Sequence, residues 1–441
     1  MTVFMVAGLG YGDEGKGSVV DYLARVYGAK LIVRYTGSVQ AGHNVVTPDG
    51  RHHTFSQFGS GMFVPGVKTF LSRFMAINPL NMVKEEAHLH QMGVPDAFSR
   101  TFIDGECPII APFQIALNRL LELSRGGKRN GSCGMGVGAT VEQYREYGSR
   151  MLLAKDLADK RTTLEKLEFI RQICRRGIFD IMHEIPRRNI QAETELLVLD
   201  DAEASGILYA RYAEFLKKAN IVSSSVLKEL LAEVPVAAFE GSQGMLLDEG
   251  YGFWPHVTKS NVTFYNAYAL LEEADYQGQV RTIGVLRGYA TRHGAGPFPT
   301  EDRSLYNYLQ EPHNTTGDWQ GVFRPGHFDM MATNYALRTL GGVDSIVLTC
   351  TDKISAMPGL KICKAYAVAN GQYWREVPIM HPNDLKLRAA LTQDMNRAIP
   401  VFNRFETVGS YINHLITQLP APVSILSFGP TAEDKIELQS L

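Results

Sequence analysis

The chain has 441 residues, of which 45% are apolar and 20% charged, close to the averages for globular proteins. That composition excludes a disordered, collagen-like or coiled-coil chain. Its 44 Lys and Arg residues nearly balance 46 Asp and Glu residues, and the net charge of −2 argues against a protein whose main partner is a nucleic-acid backbone.

Five scattered cysteines include no CxxC pair, so the sequence predicts no disulfide framework and favours a reducing compartment. The N-terminal segment lacks the basic start and long apolar core of a signal peptide. No stretch approaches 18 uninterrupted apolar residues, the length needed to span a membrane. We therefore expect a cytoplasmic protein that binds neither membrane nor nucleic acid.

The first predicted element is a short buried strand at residues 3–7, which runs into a glycine-rich loop. A helix follows, because the apolar residues between 19 and 24 have helical spacing. The apolar run at 30–35 then predicts a second buried strand of a parallel sheet. The chain therefore begins as an α/β protein in which a phosphate-type loop joins a strand to a helix.

Helical patterns dominate the middle of the chain, and we interpret residues 110–235 as a helical insertion. The patterns cover residues 113–123, 164–174 and 210–218. Strand-like apolar runs return at residues 236–239, 280–286, 345–348 and 423–426. Polar or glycine-rich loops follow these runs, and ligands bind at the carboxyl ends of parallel strands.

The predicted fold class is α/β, with a large, mainly parallel mixed sheet flanked by helices. No linker rich in Pro or Ser divides the sequence, which favours one large domain over residues 1–441. Two separate α/β domains are the alternative.

The sharpest local signal is the loop after the first strand. Its Gly10-x4-Gly15-Lys16 spacing matches most of a P-loop, in which backbone N–H groups and a helix N-terminus bind phosphate while the lysine neutralises it. Gly17 stands where Ser or Thr would hold magnesium. The alternative interpretation is a tight turn from strand to helix.

An acidic pair, Asp13 and Glu14, lies inside this loop. Carboxylates are unfavourable in an anion-binding loop unless a cation or a proton-transfer step requires them. The pair therefore indicates either chemistry or, in the turn interpretation, solvated charges.

The run Gly-Asp-Glu-Gly-Lys-Gly at 12–17 resembles the signature of the adenylosuccinate synthetase family. Further segments that resemble the family's motifs follow in order at 41–43, 239–248, 257–261, 291–301 and 427–430. The resemblance extends over residues 3–430. It implies the family's P-loop-related fold and a GTP- and Mg²⁺-dependent ligase that joins aspartate to C6 of a purine 5′-monophosphate such as IMP.

The resemblance also implies roles for the catalytic residues. Asp13 would act as the base that removes the N1 proton of the purine, and protonated His43 would stabilise the transferring phosphoryl group. Gln243 would bind the 6-oxo region and Lys16 would neutralise phosphate. Asp13 and the backbone carbonyl of Gly42 would bind Mg²⁺.

The family's triphosphate contacts fall on the P-loop and on two later loops. The matching residues are Gly12, Glu14, Gly15, Gly17, Asp352, Ser427, Gly429 and Pro430. The family's Thr-Lys-x-Asp segment reads Thr349-Cys350-Thr351-Asp352, so its lysine is lost. Asp352 can accept hydrogen bonds from guanine but faces an acceptor nitrogen in adenine, which favours GTP.

The departures from the family lie in the loops for the acceptor nucleotide and the amino acid. Residues at the matching positions are Gln40, Ser132, Cys133, Arg150, Thr258, His293, Thr315, Thr316 and Arg324. Ser132-Cys133-Gly134-Met135 replaces a Thr-Thr-Gly-Arg segment that binds the nucleotide phosphate. Gln40 replaces an Asn, and His293 a small apolar residue near the ribose.

The amino-acid loop departs furthest. After Thr315-Thr316-Gly317 the family has a run of arginines, and this chain has Asp318 and Trp319. Only Arg324 remains nearby as a bidentate partner for a carboxylate, while Asp318 would repel an acidic amino acid.

The family forms homodimers in which an arginine crosses to the other subunit, and Arg145 and Arg150 are both candidates. Two enzymatic alternatives are a phage-type relative that acts on dGMP and a paralogue that uses another amino acid. A non-catalytic nucleotide sensor is the alternative from another class. Such a sensor would be expected to lose Asp13, His43 or Gln243, which are all present.

Overall fold

A ten-stranded sheet runs through the computed structural model, which describes residues 1–185, 189–309, 311, 319–368 and 371–441. In chain order the strands of these residues are β1 (Thr2–Gly8), β2 (Leu31–Arg34), β3 (Gly37–Ser38), β4 (His43–Val46), β5 (His52–Phe55), β6 (Lys68–Leu71), β7 (Met75–Ala76), β8 (Thr101–Asp104), β9 (Asn220–Val222), β10 (Val236–Glu240), β11 (Gln279–Arg287), β12 (Ala290–His293), β13 (Phe323–Gly326), β14 (Phe328–Asp329), β15 (Ser345–Thr349), β16 (Leu360–Ala367), β17 (Tyr373–Trp374), β18 (Ile399–Phe405), β19 (Val423–Ser427) and β20 (Lys435–Glu437).

The α-helices in the same part of the chain are α1 (Lys16–Arg25), α2 (Pro79–Gln91), α3 (Pro112–Ser124), α4 (Val137–Tyr147), α5 (Lys160–Phe179), α6 (Ile190–Asp200), α7 (Ala204–Lys218), α8 (Val226–Ala232), α9 (Tyr265–Glu273), α10 (Met330–Leu340), α11 (Leu385–Arg397) and α12 (Val408–Gln418). None of the described helices is both long and apolar enough to cross a membrane.

The large sheet has the order β20-β19-β15-β11-β1-β10-β2-β6-β8-β9, and its strands are parallel except at the β19–β20 edge. Five consecutive residues of β1, 3–7, are buried, as an interior parallel strand requires. The predicted α/β class and mainly parallel mixed sheet are confirmed. Each of the six predicted strand segments lies on a strand of this sheet.

The predicted helical region corresponds to α3–α8, which lie between β8 and β10 and are joined there by the short strand β9. Helix α3 packs against α5 and α6, and apolar residues such as Leu120, Ile170 and Leu199 are buried in one shared core. That core covers one part of the sheet. The division of the chain into domains stays a prediction.

The described residues also form four smaller sheets, which were not predicted, and two of them matter for the site. Strands β14, β16, β17 and β18 form one of them, packed against α10 and α12. Strands β12 and β13 form an antiparallel pair in which His293 lies opposite Phe323 and Arg292 opposite Arg324. This pair brings two predicted site residues to the edge of the large sheet.

The register of the central strands sets the position of the site. Gly8 of β1 pairs with Val285 of β11, and Arg287 at the end of β11 pairs with Thr349 at the end of β15. The loops that follow β1, β11, β15 and β19 therefore leave the same edge. The carboxyl edge of a parallel sheet is where α/β proteins bind ligands.

Candidate active site

The glycine-rich loop turns from β1 into α1 with Gly15 at φ 91° before the first helical residue. Gly17 explains why this loop departs from the P-loop pattern. A Cβ atom at residue 17 would lie 2.7 Å from the Cβ of His43, a separation that a side chain cannot adopt. Glycine is required there because His43 packs directly on the start of α1.

Glu14, the second residue of the acidic pair, is held inside the loop by backbone N–H groups and by Lys16. The Glu14 carboxylate accepts hydrogen bonds from the N–H groups of Gly10 (2.9 Å) and Gly12 (2.7 Å) and pairs with Lys16 Nζ at 2.7 Å. Lys16 also donates to the carbonyl of Gly12 at 2.9 Å. Glu14 therefore takes the place of an anion inside the loop, and its carboxylate turns away from the cavity described below.

Asp13 lies beside His293, with 3.1 Å between Asp13 Oδ2 and His293 Nε2. Burial alone would raise the pKa of Asp13, but His293, Arg287 and Lys16 together lower it. Asp13 is therefore ionised at neutral pH, as a base must be. The unusual histidine at position 293 is in direct contact with the predicted catalytic carboxylate.

His43 is buried against Glu240 at the end of β10, with 2.5 Å between His43 Nδ1 and Glu240 Oε1. Ser60 donates both its hydroxyl and its N–H to the same carboxylate. Burial lowers the pKa of His43 to about 4, although Glu240 opposes this effect, and Arg34 and Lys16 contribute to the lowering. Among these neighbours His43 is neutral at pH 7, which differs from the expected imidazolium.

Gln243 lies in the loop after β10 in a left-handed conformation with φ 56°. Its loop packs on the glycine-rich loop, since a Cβ at Gly244 would lie 2.2 Å from the carbonyl oxygen of Gly10. Gln243 Oε1 is buried with no hydrogen-bond partner among the described residues. A buried amide oxygen without a partner is typical of a group that receives a ligand.

A cavity of about 650 Å³ brings most of these groups together. Its lining includes Gly12, Asp13, Gly15, Lys16, Gly17, Gly42 and His43, together with Asp352, Ser427, Gly429 and Pro430. Its volume lies in the range of small-molecule sites. The structure thus joins the predicted catalytic and triphosphate residues, apart from Glu14 and Gln243, in one cavity.

The oxygen donors of this cavity suit magnesium. No three His, Cys, Asp or Glu side chains cluster as a metal-binding group in the described part of the chain. Mg²⁺ commonly binds through one or two carboxylates and the phosphates of a substrate, and does not need such a cluster. Asp13, with the carbonyl of Gly42 on the same wall, fits that pattern.

Several residues predicted for the acceptor nucleotide are in contact with one another. Gln40 accepts a hydrogen bond from the Cys133 thiol at 3.2 Å and donates to the Thr258 hydroxyl at 3.3 Å. Ser132 exchanges hydrogen bonds with Asn118. Loops far apart in sequence therefore meet at this point. Thr315, Thr316 and Asp318 lie outside the described residues.

Arg324 is already bonded on several sides. Its Nη2 and Nε pair with Glu301 at 2.5 and 3.1 Å, and its Nη1 donates to the carbonyls of Gly294 and Gly296. A carboxylate of the substrate would have to compete with Glu301. The clamp role of Arg324 stays a prediction, and these contacts weigh against it.

Arg145 and Arg150 are the candidates for the arginine that crosses the dimer interface, and neither of them lines the cavity. Arg145 pairs with Glu249 at 2.8 Å, and the exposed guanidinium of Arg150 lies 3.9 Å from the centre of the Phe169 ring. The dimer role of either residue stays a prediction.

Trp319 covers the loop in which Ser132 and Cys133 lie. A Cβ at Gly134 would lie 2.6 Å from the indole Cγ, and Gly134 has φ +67°, so only glycine fits beneath the ring. The guanidinium groups of Arg119 and Arg129 lie 5.4 and 5.8 Å from the ring centre. The indole therefore fixes this loop through packing and cation–π contacts.

Four charged residues of the site were not predicted from the sequence. Glu240 fixes His43, and Arg287, Glu311 and Lys353 line the cavity. Two of them, Glu240 and Arg287, could have been recognised in the sequence as site residues, because each is a charged residue at the carboxyl end of a buried strand. Glu311 lies outside the helices and strands and Lys353 lies in a short 3₁₀ helix, Asp352–Ala356, so no comparable pattern marks them.

The chain matches the family model described as adenylosuccinate synthetase over residues 5–436. Adenylosuccinate synthetase of Marinomonas sp. strain MWYL1 is 30% identical over 458 residues, covering 99% of this chain and 98% of that protein. The enzyme of that name from Vibrio cholerae serotype O1 strain O395 is 30% identical over 445 residues, covering 98% and 97%.

Two solved structures share the fold. Fully ligated adenylosuccinate synthetase from Plasmodium falciparum superimposes with a TM-score of 0.78 at 19% identity, covering 99% of this chain and 100% of that chain. The cyanophage S-2L succinoaminodeoxyadenylate synthetase PurZ, bound to dGMP and to dATP as an energy donor, gives a TM-score of 0.60 at 16% identity, covering 100% and 96%.

Proposed function

Because the chain belongs to the adenylosuccinate synthetase family and is a ligase that forms carbon–nitrogen bonds, we propose that it converts IMP, GTP and aspartate into adenylosuccinate, GDP and phosphate. One observation carries this proposal. Asp13, His43 and Lys16 line a single cavity together with Asp352, the residue that we propose binds guanine. A phosphoryl donor and an acceptor can therefore meet beside the ionised Asp13.

The reaction begins with proton transfer to Asp13. Its carboxylate takes the N1 proton of the 6-oxopurine, and the charge that develops on O6 attacks the γ-phosphorus of GTP in line. The bond from the γ-phosphorus to the bridging oxygen breaks, and GDP leaves. The unpartnered Gln243 Oε1 is available to accept a hydrogen bond from the purine.

The second step forms the carbon–nitrogen bond. The amine of aspartate attacks C6, the 6-phosphate leaves, and the nitrogen loses a proton. Phosphorylation is needed because the oxo group itself is a poor leaving group.

His43 and Lys16 act on the phosphoryl group. Glu240 accepts a hydrogen bond from Nδ1–H of His43, which leaves Nε2 as the second nitrogen of a ring that lines the cavity. We expect substrate phosphate to raise the pKa of His43, so that the imidazolium stabilises the transferring group. Lys16 lines the same cavity, and its ammonium group neutralises charge on the phosphate oxygens.

Asp13 and the Gly42 carbonyl would hold Mg²⁺, which neutralises charge on the phosphates when it is bound. Asp13 would then contact both the cation and the purine. We also propose that the protein works as a cytoplasmic homodimer.

A second candidate acceptor is dGMP. The match to PurZ supports that alternative at the level of the fold, and the loops around Cys133 and Asp318 depart from the family's pattern. Against it, this chain keeps the carboxylate of Asp13 at the catalytic position, which suits the IMP reaction. The experiment below therefore includes both acceptors.

The test is phosphate release across a matrix of acceptors, donors and amino acids. IMP, dIMP, GMP and dGMP are each combined with GTP, ATP or dATP, and with aspartate or a neutral amino acid. We expect IMP, GTP and aspartate to give the highest kcat/KM. Preference for dGMP would favour the second candidate, and no release with any combination would favour a sensor.

A further inference from the structure

Arg287 is a buried cation in the wall of the triphosphate cavity, and the mechanism above does not use it. It ends β11 beside the strand that leads into the glycine-rich loop, and only 6% of its surface is exposed. Its register partner Thr349 on β15 donates its hydroxyl to the carbonyl of Glu14 at 2.6 Å, and Arg287 lines the cavity together with Lys16. Arg287 therefore lies beside the glycine-rich loop.

The guanidinium group of Arg287 is bonded mainly through one nitrogen. Its Nη2 donates to Glu311 at 2.5 Å, to the Tyr289 hydroxyl at 2.8 Å and to Cys350 Sγ at 3.3 Å. Its Nη1 reaches the Thr291 hydroxyl only at 3.5 Å, and its Nε has no hydrogen-bond partner among the described residues. A guanidinium has five N–H donors, so Arg287 still has N–H donors that can bind a ligand.

Glu311 is an anion on the wall of a cavity that suits a polyanion. Its side chain is 9% exposed, and its Oε1 atom also lies 3.3 Å from Lys353 Nζ. Burial alone would raise the pKa of Glu311, but Arg287 and Lys353 hold it below its ordinary value. Two cations therefore share one carboxylate in a position where phosphate oxygens would compete for them.

We propose that Arg287 binds the polyphosphate chain of the triphosphate substrate, and that Glu311 is the anion which the phosphate oxygens displace from it. This inference rests on the proposed use of a nucleoside triphosphate. A planar guanidinium binds phosphate through two parallel hydrogen bonds, which a carboxylate on the same residue partly blocks. Lys353 would gain a phosphate partner in the same exchange.

The proposal predicts opposite effects for the two partners of one ion pair. Arg287→Met should weaken binding of Mg²⁺–tripolyphosphate at least about tenfold, and Arg287→Lys by about threefold, because the point charge remains. Glu311→Gln should tighten binding about threefold or more, since it removes the competing charge. A merely structural ion pair would instead make both variants weaker.

Binding is measured by titration calorimetry with the full-length protein, using tripolyphosphate and GTP as separate probes with Mg²⁺. Arg388→Lys is the matched control, because Arg388 is also buried and bonded to the carbonyls of Glu249 and Pro382 but does not line the cavity. Its dissociation constants should equal those of the wild type. Circular dichroism of each variant shows that it has folded.

Two results overturn the inference while leaving the proposed function intact. They are equal tripolyphosphate affinity of wild type and Arg287→Met, and weaker binding by a folded Glu311→Gln variant. A wild-type protein that binds neither GTP nor tripolyphosphate would overturn the proposed function as well. The two failures are thus distinguishable.

Discussion

Two regions of the candidate site meet at the carboxyl edge of the large sheet, and different kinds of contact stabilise each of them. The phosphoryl-transfer region consists of the glycine-rich loop, His43 and Glu240, and its charges are buried in short ion pairs. The substrate-selection region consists of residues 130–138, 293–301 and 319–326. It is held by glycine contacts, by one tryptophan, and by Arg324, which donates to two carbonyls and forms a partly exposed ion pair with Glu301.

The comparison shows where this chain can change without losing its chemistry. Residues of the first region are tied to strands of the large sheet, so a substitution there disturbs buried charge. The second region consists of loops and the short β12–β13 pair beside the large sheet, and loops on a rigid scaffold accept substitution more readily. The departures from the family's pattern lie mainly in that second region, and selectivity is therefore expected to differ more than the reaction.

The largest expected effect comes from removing the base. Asp13→Ala should lower nucleotide-dependent phosphate release at least about a hundredfold, the usual contribution of a general base. Asp21→Asn, a buried carboxylate on α1 that pairs with Arg25 outside the cavity, is the matched control. Activity of Asp13→Ala within a fewfold of wild type would remove Asp13 from the mechanism.

The next effect is expected at Asp352, the residue proposed to bind the guanine base. Asp352→Asn should reduce the preference for GTP over ATP about tenfold or more, because the amide loses a charged acceptor for guanine and offers a donor to adenine. The measurement is kcat/KM for each triphosphate. Equal turnover of GTP and ATP by the wild type would show that Asp352 does not read the base.

In the substrate-selection region, substitutions of two glycines test whether packing beneath Trp319 supports binding of the acceptor nucleotide. Gly134→Ala should raise the KM of the acceptor nucleotide about fivefold, because the methyl group displaces the indole. Gly126→Ala also places a side chain at positive φ, but nothing lies within 4 Å of its Cβ. A change of equal size in both variants would trace the effect to backbone strain and not to Trp319.

Arg324 distinguishes direct binding of the amino acid from support of the loop. We expect Arg324→Lys and Glu301→Gln each to raise the aspartate KM about threefold, because both loosen the same ion pair beside Gly294 and Gly296. The triphosphate KM should stay constant. If Glu301→Gln instead lowered the aspartate KM, Arg324 would be the clamp and Glu301 its competitor.

The last prediction concerns stability instead of activity, at Asp329, which lies where the two regions join. Asp329 caps α10 after the selection strands and lines a small internal cavity together with Tyr11 of the glycine-rich loop. Burial raises the pKa of Asp329 to about 6, despite a hydrogen bond from Tyr366. The native state therefore binds this proton more tightly than the unfolded chain does.

The free energy of unfolding should accordingly fall as the pH rises from about 4 to 6, by up to about 2–3 kcal/mol from this group. Asp329→Asn keeps an acceptor for the helix cap and should remove that part of the pH dependence. Urea unfolding at several pH values measures it. An unchanged profile in the variant would show that Asp329 does not titrate in this range.

The strands predicted correctly from the sequence are those whose apolar pattern along the chain matches their burial in the structure. Interior parallel strands are continuous apolar runs, so the segments that became β1, β10 and β11 were recognisable without their partners. Strand β16 was missed. It belongs to a small sheet whose strands lie far apart in the chain, and its burial depends on helices that the sequence does not place beside it.

The site residues that could be predicted from the sequence are those that lie within a recognisable local motif. Asp13, Lys16 and His43 were found in this way, and the structure places all three on one cavity. The partners that set their charge were not found, because they are tertiary neighbours. Glu240 is 197 residues from His43, and no local pattern predicts that these two side chains meet.

The buried carboxylate of Glu14 bears on which solutes can compete for the cavity. It occupies the N–H groups of Gly10 and Gly12 and the ammonium of Lys16 as part of the same loop. A tethered group acts at an effective concentration in the millimolar range or above, so free inorganic phosphate gains little by competing with it. The proposed nucleoside triphosphate would also contact Asp352 in the same cavity, which a single phosphate ion bound at the glycine-rich loop would not. The phosphate that the reaction releases is therefore expected to be a weak product inhibitor.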